Sequence, residues 1–532
     1  VTATEERATT GPASFGRATL VQAAGTTLSR LTGFGRVFAL AYALGRTRLA
    51  DTYWLANNTP NIIFELVIGG VLSGMVLPEF VRQLRNKDNE DDGWRAVSAV
   101  ITVSAAACAA LSIVFVVVAP WFIRLYTVRT HGDVSRDQLA VATTLLRLFA
   151  PQVFLYGLVY LSTALLRARR KFAAPMFAPV LNNVVVIALF LAWPTLVGTN
   201  SLDRVRHNPG ALWLLGLGTT LGVAAMAVAQ LPLRIVRDHI RPVWAPRHPS
   251  VVRIVRLGGW TAGFVAANQV ALFVVFFLAN GRAGDVSVYL LAYTIFLLPH
   301  GVVAVSILSA IQPELADRWA AHDLAGFRDY VSVGMRSILA TIVPAAVGFV
   351  LLAGPLVTVM LEHGALHGKD ASEIAQTLVM LSLGLPAFSA FLFLTSAYQA
   401  MQNTRALFWV YLVENAINIV TSIALYPTFG VKGLALSFSI AYTLATVVAL
   451  VDLRRRAGGV DGSRMLASSA RIAVASLAMA VAVALVLRPL HGALLRSGVG
   501  IGAGVTVYLL ACRLFGVREA GELISLRRRS GQ

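Results

Sequence analysis

The chain has 532 residues, of which 57% are hydrophobic and only 13% charged, and it carries a formal net charge of +19 at pH 7. A water-soluble globular protein carries about 25% charged residues, so the bilayer must serve as solvent for much of this chain. The positive excess does not mark a nucleic-acid binder, because the arginines cluster between apolar segments and form no basic domain.

Residues 1–16 are polar and irregular, with no basic run leading to a small-residue cleavage site, and read as a cytoplasmic N-terminal segment. A spanning helix needs about 20 predominantly apolar residues. Fourteen stretches qualify in chain order: 17–45, 52–81, 94–124, 138–166, 172–198, 211–233, 257–281, 285–313, 333–361, 373–401, 406–427, 430–453, 465–488 and 491–512. Alternating the loops from an inside N-terminus leaves about 30 Lys and Arg inside and about 12 outside. The strongest inside clusters are Arg167, Arg169, Arg170 and Lys171, then Arg234 through Arg256, then Arg454, Arg455 and Arg456, then Arg527, Arg528 and Arg529. Both termini are therefore expected in the cytoplasm.

The connection 234–256 contains Pro242, Pro246 and Pro249 and reads as a linker between two six-helix halves. The expected organisation is a first lobe with its linker over 17–245, a second lobe over 246–456, two further helices over 457–516 and a basic cytoplasmic tail over 517–532. The fold class is an all-α polytopic membrane protein of about fourteen helices, with a site near the midplane between the repeat bundles. Segments 165–183 (LLRARRKFAAPMFAPVLNN) and 397–415 (AYQAMQNTRALFWVYLVEN) echo one another: each is a helix end, a polar turn and a new helix carrying a polar pair.

Charges at bilayer depth point to function, because each costs roughly 2.5 kcal/mol or more unless it meets a wet cavity or a partner. Span one holds Arg30 and Arg36. Gln22, Thr26, Arg30 and Gly33 form one helical stripe, and Arg36 lies about 9 Å further along the axis and about 120° around. Gly33 leaves a notch between two guanidiniums whose planar forks suit a diphosphate. The alternative is that each arginine snorkels or pairs with a structural carboxylate.

Span two carries Asn57, Asn58, Pro60, Asn61 and Glu65, with Asn58, Asn61 and Glu65 on one face. Proline bends a spanning helix, so Glu65 stands either beside a hinge or as the counter-ion of Arg30 or Arg36. Asp51, at the outer mouth, reads as an N-cap or a gate. Arg147 precedes Pro151 and Gln152 in span four. Glu414, flanked by apolar residues in span eleven near Asn415 and Asn418, is a candidate for proton or ion coupling or for an interhelical hydrogen bond. His300 reads as a structural histidine. His363 and His367 have metal-ligand spacing, but Gly364 and Gly368 favour a turn there, and no metal is expected. There is no G-x-x-x-x-G-K-[ST] and hence no ATP site. No cofactor is implied.

SRLTGFGR (29–36), LADTYW with TPN (49–61), LLRARRKFAAPMFAPVLNN (165–183), LEHGALHGKD (361–370), AYQAMQNTRALF (397–408) and FGVKGLAL (429–436) resemble the MurJ/MviN family, lipid II flippases of the MOP exporter superfamily. The resemblance runs from about residue 17 to 516 and implies two six-helix lobes around a cationic cavity, plus two helices lining a groove for a polyprenyl tail. It implies alternating access that carries lipid II from the inner to the outer leaflet of the bacterial inner membrane. Arg30 and Arg36 match the family's two arginines in helix one, Asp51 its acidic residue at the start of helix two, and Arg147 its arginine before a proline in helix four.

Four positions depart from the best-known members. Phe64 and Thr294 stand where those have further cations, with Tyr293 beside Thr294 in place of an aspartate, and Val37 stands where they have an acid. Some relatives carry a cytoplasmic domain after helix fourteen; here a regulator would be a separate protein.

The reading is therefore a lipid II flippase without ATPase activity, driven by membrane potential or an ion gradient. Arg30, Arg36, Asn61, Glu65 and Arg147 bind substrate, and Asp51 and Glu414 are gating or coupling candidates. Its expected partners are lipid II or a related polyprenyl-diphosphate lipid, the membrane, and separate cytoplasmic regulators and wall-synthesis proteins. The rival readings are a flippase for another polyprenyl-diphosphate sugar, a MATE-like cation antiporter, and an inactive scaffold for wall-synthesis proteins.

Overall fold

The computed structural model describes residues 12–66, 76–85, 90–257, 259–459, 462–517 and 519. Residues 1–11 of the expected N-terminal segment, the Arg527–Arg529 cluster and the side chain of Gln22 lie outside the described residues. Among the described residues twenty-one α-helices follow one another: α1 Pro12–Leu44, α2 Arg48–Phe64, α3 Val76–Arg85, α4 Glu90–Thr127, α5 Gly132–Phe149, α6 Pro151–Ala168, α7 Ala173–Leu196, α8 Leu202–Arg206, α9 Pro209–Gln230, α10 Leu233–His239, α11 Pro249–Leu257, α12 Gly259–Ala279, α13 Asp285–Pro299, α14 Val305–Ala320, α15 Leu324–Leu361, α16 Gly368–Leu383, α17 Leu385–Ala400, α18 Thr404–Phe429, α19 Val431–Arg456, α20 Gly462–Leu487 and α21 Ala493–Leu514.

Eleven stretches of described helix are long and apolar enough to cross a membrane, and the α16–α17 pair, bent by 48°, makes up to twelve. α5 runs into α6 as one such stretch, as do α13, a π turn at His300–Ala304 and α14. The chain is an all-helical polytopic membrane protein.

Chain contacts divide the protein into two compact units, residues 1–266 and 267–532. In the first, α1 packs along α7, α7 along α9, α2 on α5, and α4 on α5 and α6. The proline-rich connection is tied to this unit. The backbone N–H of Arg241 donates to the Ser98 hydroxyl at 3.2 Å, that of Val243 to the Thr102 hydroxyl at 3.2 Å, and the Gln83 amide reaches Ser250 at 3.0 Å. Trp94 of α4 completes the strap, with the His239 ring stacked 4.3 Å from it and the Arg169 guanidinium 5.2 Å from its centroid. Ile235 and Ile254 then join Phe80, Trp94 and Leu165 in one buried cluster.

In the second unit α18 packs on α19, and α15 meets α16, α17, α20 and α21. α20 and α21 bury Ile472, Met479, Val483, Tyr508 and Cys512 against Ala340 and Leu352 of α15.

The faint internal echo has a structural counterpart. Arg170 and Gln402 end their helices in the left-handed region, at φ 55° and 54°, although neither is glycine. They occupy the same place in segments 165–183 and 397–415. So do Asn183 and Asn415, and each donates to the first long helix of its own unit: Asn183 to Ser29 and Thr32 of α1, Asn415 to Asn268 of α12 at 2.6 Å.

Beyond α21 the chain is latched by Glu519. Its carboxylate accepts from the Arg336 guanidinium at 2.7 Å and the Ser468 hydroxyl at 2.9 Å, joining it to α15 and α20. Burial alone would raise this carboxyl. Bonds from its own backbone N–H, Ser468 and Arg336 outweigh burial and hold it below the ordinary glutamate range. A lowered folded-state pKa contributes stability above the unfolded value and loses it as pH falls through the folded one. The C-terminal segment is therefore expected to stay docked at neutral pH and to release below about pH 4, read as hydrogen exchange at 515–517. Glu519→Ala, which strands a largely buried guanidinium, should release it at pH 7 at a cost of about 3 kcal/mol.

Candidate functional site: the cationic helix α1 and its surroundings

α1 approaches α7 closely because Gly25 has no side chain: a Cβ there would stand 2.6 Å from Cβ of Met176. One turn on, the Asn183 amide donates to the Ser29 carbonyl at 3.1 Å and to the Thr32 hydroxyl at 3.0 Å. Gly33 also faces α7, with the Asn183 nitrogen 3.7 Å from where its Cβ would be, and Thr26 touches the Met176 sulfur at 3.6 Å. The expected notch beside Gly33 is thus used for helix packing. Arg30, one residue past Ser29 and so about 100° around the helix, is turned off this interface and is exposed.

Arg36 is half-buried and, among the described residues, forms no ion pair. Its field acts on the phenols of Tyr53 in α2 and Tyr156 in α6. Tyr53 is fully enclosed, with its hydroxyl 3.2 Å from that of Thr219 and its ring edge-on to Phe149 and Phe190. Sequence reasoning missed both tyrosines. They stand on other helices, and nothing in the spacing along α1 names them.

The polar face of α2 is present. Asn58 donates to the Trp54 carbonyl at 2.9 Å and Asn61 to the Asn57 carbonyl at 3.3 Å, so both amides lie back along their own helix. Glu65 ends α2 and is exposed, and it makes no ion pair with any described residue. The counter-ion role for Arg36 is therefore not realised. The reason is register: counted from the α1–α2 turn, Glu65 lies about 27 Å along its helix and Arg36 about 14 Å along the other, a stagger the two side chains cannot bridge.

Asp51 is fully buried in the first turn of α2, but the N-cap is Thr47, whose hydroxyl accepts from the Ala50 N–H at 3.2 Å. The N-cap reading of Asp51 is corrected accordingly.

Arg147 is exposed near the end of α5, and its Nε donates to the Val116 carbonyl of α4 at 3.3 Å. That carbonyl lies four residues before Pro120, which has no N–H to give it. The guanidinium thus satisfies a proline-freed backbone group. Sequence reasoning placed Arg147 among substrate ligands; the signal for this second role was Pro120, on another span.

In the second unit Glu414 is 2% exposed and forms no ion pair among the described residues. The phenols of Tyr289, Tyr293, Tyr411 and Tyr442 interact electrostatically with it. His300 is buried at the π turn, with Nδ1 3.0 Å from the Ser389 hydroxyl. His363 has Nε2 3.1 Å from the Val359 carbonyl, and His367 is the N-cap residue of α16. Among the described residues no group of three or more His, Cys, Asp or Glu side chains could hold a metal ion.

The family model described as lipid II flippase MurJ matches residues 40–496. The chain belongs to the MurJ family. The match opens shortly after Arg36, so the two arginines of α1 precede it. A probable lipid II flippase MurJ of Rhizobium tropici is 27% identical over 81% of this chain and 80% of its own length. The lipid II flippase MurJ of Burkholderia cenocepacia is 26% identical over 83% and 84%, and a probable one of Thermotoga maritima 26% identical over 95% and 98%. Among solved structures, a lipid II flippase MurJ in an inward closed conformation matches with a TM-score of 0.77 at 21% identity, covering 93% of this chain and 98% of that one. An inward-facing MATE-family transporter of the MOP superfamily matches at 0.64 and 13% identity, over 80% and 94%. These likenesses show a shared MOP-type fold.

Where the resemblance led one to expect further cations, this MurJ-family chain has aromatic contacts. Phe64 packs 5.1 Å from the Tyr156 ring. Tyr293, beside Thr294, stacks on Tyr289 and Phe296 and meets Phe438 edge-on.

The Arg147 contact gives a direct test. Arg147→Leu should lower stability in detergent by about 1 kcal/mol. Adding Pro120→Ala, which restores the helical N–H, should recover that loss, with the coupling read from a double-mutant cycle of melting curves.

Proposed function

We propose that this chain carries lipid II across the cell membrane by alternating access, with Arg30 and Arg36 receiving the diphosphate. The observation that carries the site is Arg36: a guanidinium inside a bundle of membrane helices, half-buried and without an ion-pair partner among the described residues. Such a cation needs an anion, and a diphosphate linked to a polyprenol brings one to bilayer depth. The relatives named as lipid II flippases supply the substrate. Family membership favours this reading over a cation antiporter or an inactive scaffold.

The finer parts of the proposal are these. The spans number fourteen, the two beyond the apolar set being α1 and α2. α1 carries Arg30 and Arg36, as a helix lining a wet cavity would, and α2 is described over only 17 residues. Both termini are cytoplasmic, following the arginine clusters. α20 and α21, packed on α15, offer the groove for the polyprenyl tail. Membrane potential or an ion gradient drives the cycle without ATP, and Glu414 is the coupling carboxylate. Asn61 and Glu65 line the path, and Asp51 stands at its outer end.

Complementation of a flippase-depleted strain tests the site. Arg30→Ala/Arg36→Ala should fail to support growth while reaching the membrane at normal levels, with lipid II accumulating on the inner leaflet. Normal growth of that variant would remove the mechanism. Glu414→Gln should retain lipid II binding but slow transport about tenfold or more, measured in proteoliposomes with an imposed gradient.

A further inference from the structure

We infer that Asn183 is a positioning residue for transport: it fixes the rotation of α1 about its own axis and thereby where Arg30 and Arg36 point. The inference rests on the lipid II reading for its transport readout and on geometry for the rest. An asparagine amide nitrogen has two protons to give. Asn183 gives one to the Ser29 carbonyl at 3.1 Å and the other to the Thr32 hydroxyl at 3.0 Å. These acceptors flank Arg30 and lie about 60° apart around the helix. One bond would hold α1 at a point; two bonds across that arc resist its turning.

The surroundings agree with this role. Asn183 is itself buried, at 6% exposure, and Gly25 and Gly33 bring the α1 backbone close enough for a short amide to reach. With Ser29 and Thr32 held against α7, Arg30 is turned outward. Arg36, seven residues past Ser29 and so nearly back on the Ser29 side, is carried inward to Tyr53 and Tyr156. A rotation of about 30° would displace each guanidinium by several ångströms, since arginine projects far from the helix axis.

The second unit carries one bond of the same kind. Asn415 holds the corresponding place in its segment, and its amide nitrogen donates to Asn268 of α12 at 2.6 Å and to the Tyr411 carbonyl at 2.7 Å. A general packing residue would not need the same amide at the same place facing the leading helix of both units.

The test uses the full chain in phosphatidylglycerol/phosphatidylethanolamine vesicles, with initial flipping rates measured against lipid II concentration and thermal stability measured in parallel. Asn183→Ala should raise the KM for lipid II about fivefold or more, with kcat within about twofold and Tm nearly unchanged. Asn183→Asp, equal in size but without the amide donor, should do the same. Thr32→Val should raise KM less, and should add nothing to Asn183→Ala. A wild-type KM for Asn183→Ala would overturn the inference, as would a joint fall of KM performance and Tm that Asn183→Asp does not share. Should Asn183→Ala fail to fold, Thr32→Val and Asn183→Asp carry the same comparison.

A nitroxide on Leu31→Cys, at a position 62% exposed, reports α1 rotation without any transport. Its spectrum should change in Asn183→Asp even if the wild-type chain moves no lipid II, so failure of the substrate reading is distinguishable from failure of this one. An unchanged spectrum would overturn the positioning role.

Discussion

Inside a bilayer no water completes an unfinished hydrogen bond, and much of this structure follows from that shortage. Hydroxyls turn back on their own helices: Thr59 reaches the Leu55 carbonyl, Ser382 that of Leu378 and Ser437 that of Gly433. Where a proline breaks the pattern in α4, an arginine on α5 supplies the missing donor. Where helices must be joined, amides do it, with Gln152 on Thr220 and Gln230 on Val159. Against this economy a charged side chain without an internal ion pair stands out. Among the described residues Arg36 and Glu414 are such groups.

The two units solve the same problem with opposite charge. The first places a guanidinium near two tyrosines, with an asparagine on a neighbouring helix holding the arginine-bearing one. The second places a carboxylate among four tyrosines, with an asparagine at the matching position joining its own leading helix. Tyrosine suits both settings, because its ring fills apolar volume while its hydroxyl offers one polar contact. Phe64 and the stack around Tyr293 strengthen the contrast. The first unit carries Arg30 and Arg36 on α1, and the second sets Glu414, a buried acid without an ion pair among the described residues, near aromatic rings.

The sequence told most about features that lie along one helix. Apolar length located the eleven or twelve stretches that, among the described residues, are long and apolar enough to cross a membrane. The asparagine face of α2 and the cations of α1 could be read from i, i+4 and i+7 spacing. It told little about features that depend on which helix stands opposite. Gly33 looked like a notch because a helical wheel has no neighbour, and α7 fills that space. Glu65 looked like a partner for Arg30 or Arg36, and among the described residues it forms an ion pair with neither. Asp51 looked like an N-cap because it opens a helix by composition, yet Thr47 begins that helix one turn earlier. The use of Arg147 could not be read from span four at all, since its reason is a proline on span three.

This division bears on how the site works. A cationic pocket that only stored charge could be built from any arginines at suitable depth. One that must receive a diphosphate in one conformation and release it in another needs its guanidiniums held in direction yet able to move with their helix. Long arginine side chains lose much freedom when fixed, so direction is better set by fixing the backbone beneath them. The bonds that do this lie on the α7 side of α1 and leave its other side unconstrained by polar contacts to that helix. Charge is then carried by a helix tied to α7 at Ser29 and Thr32, so an anion received by Arg30 and Arg36 would be coupled to the packing of the first unit through that helix.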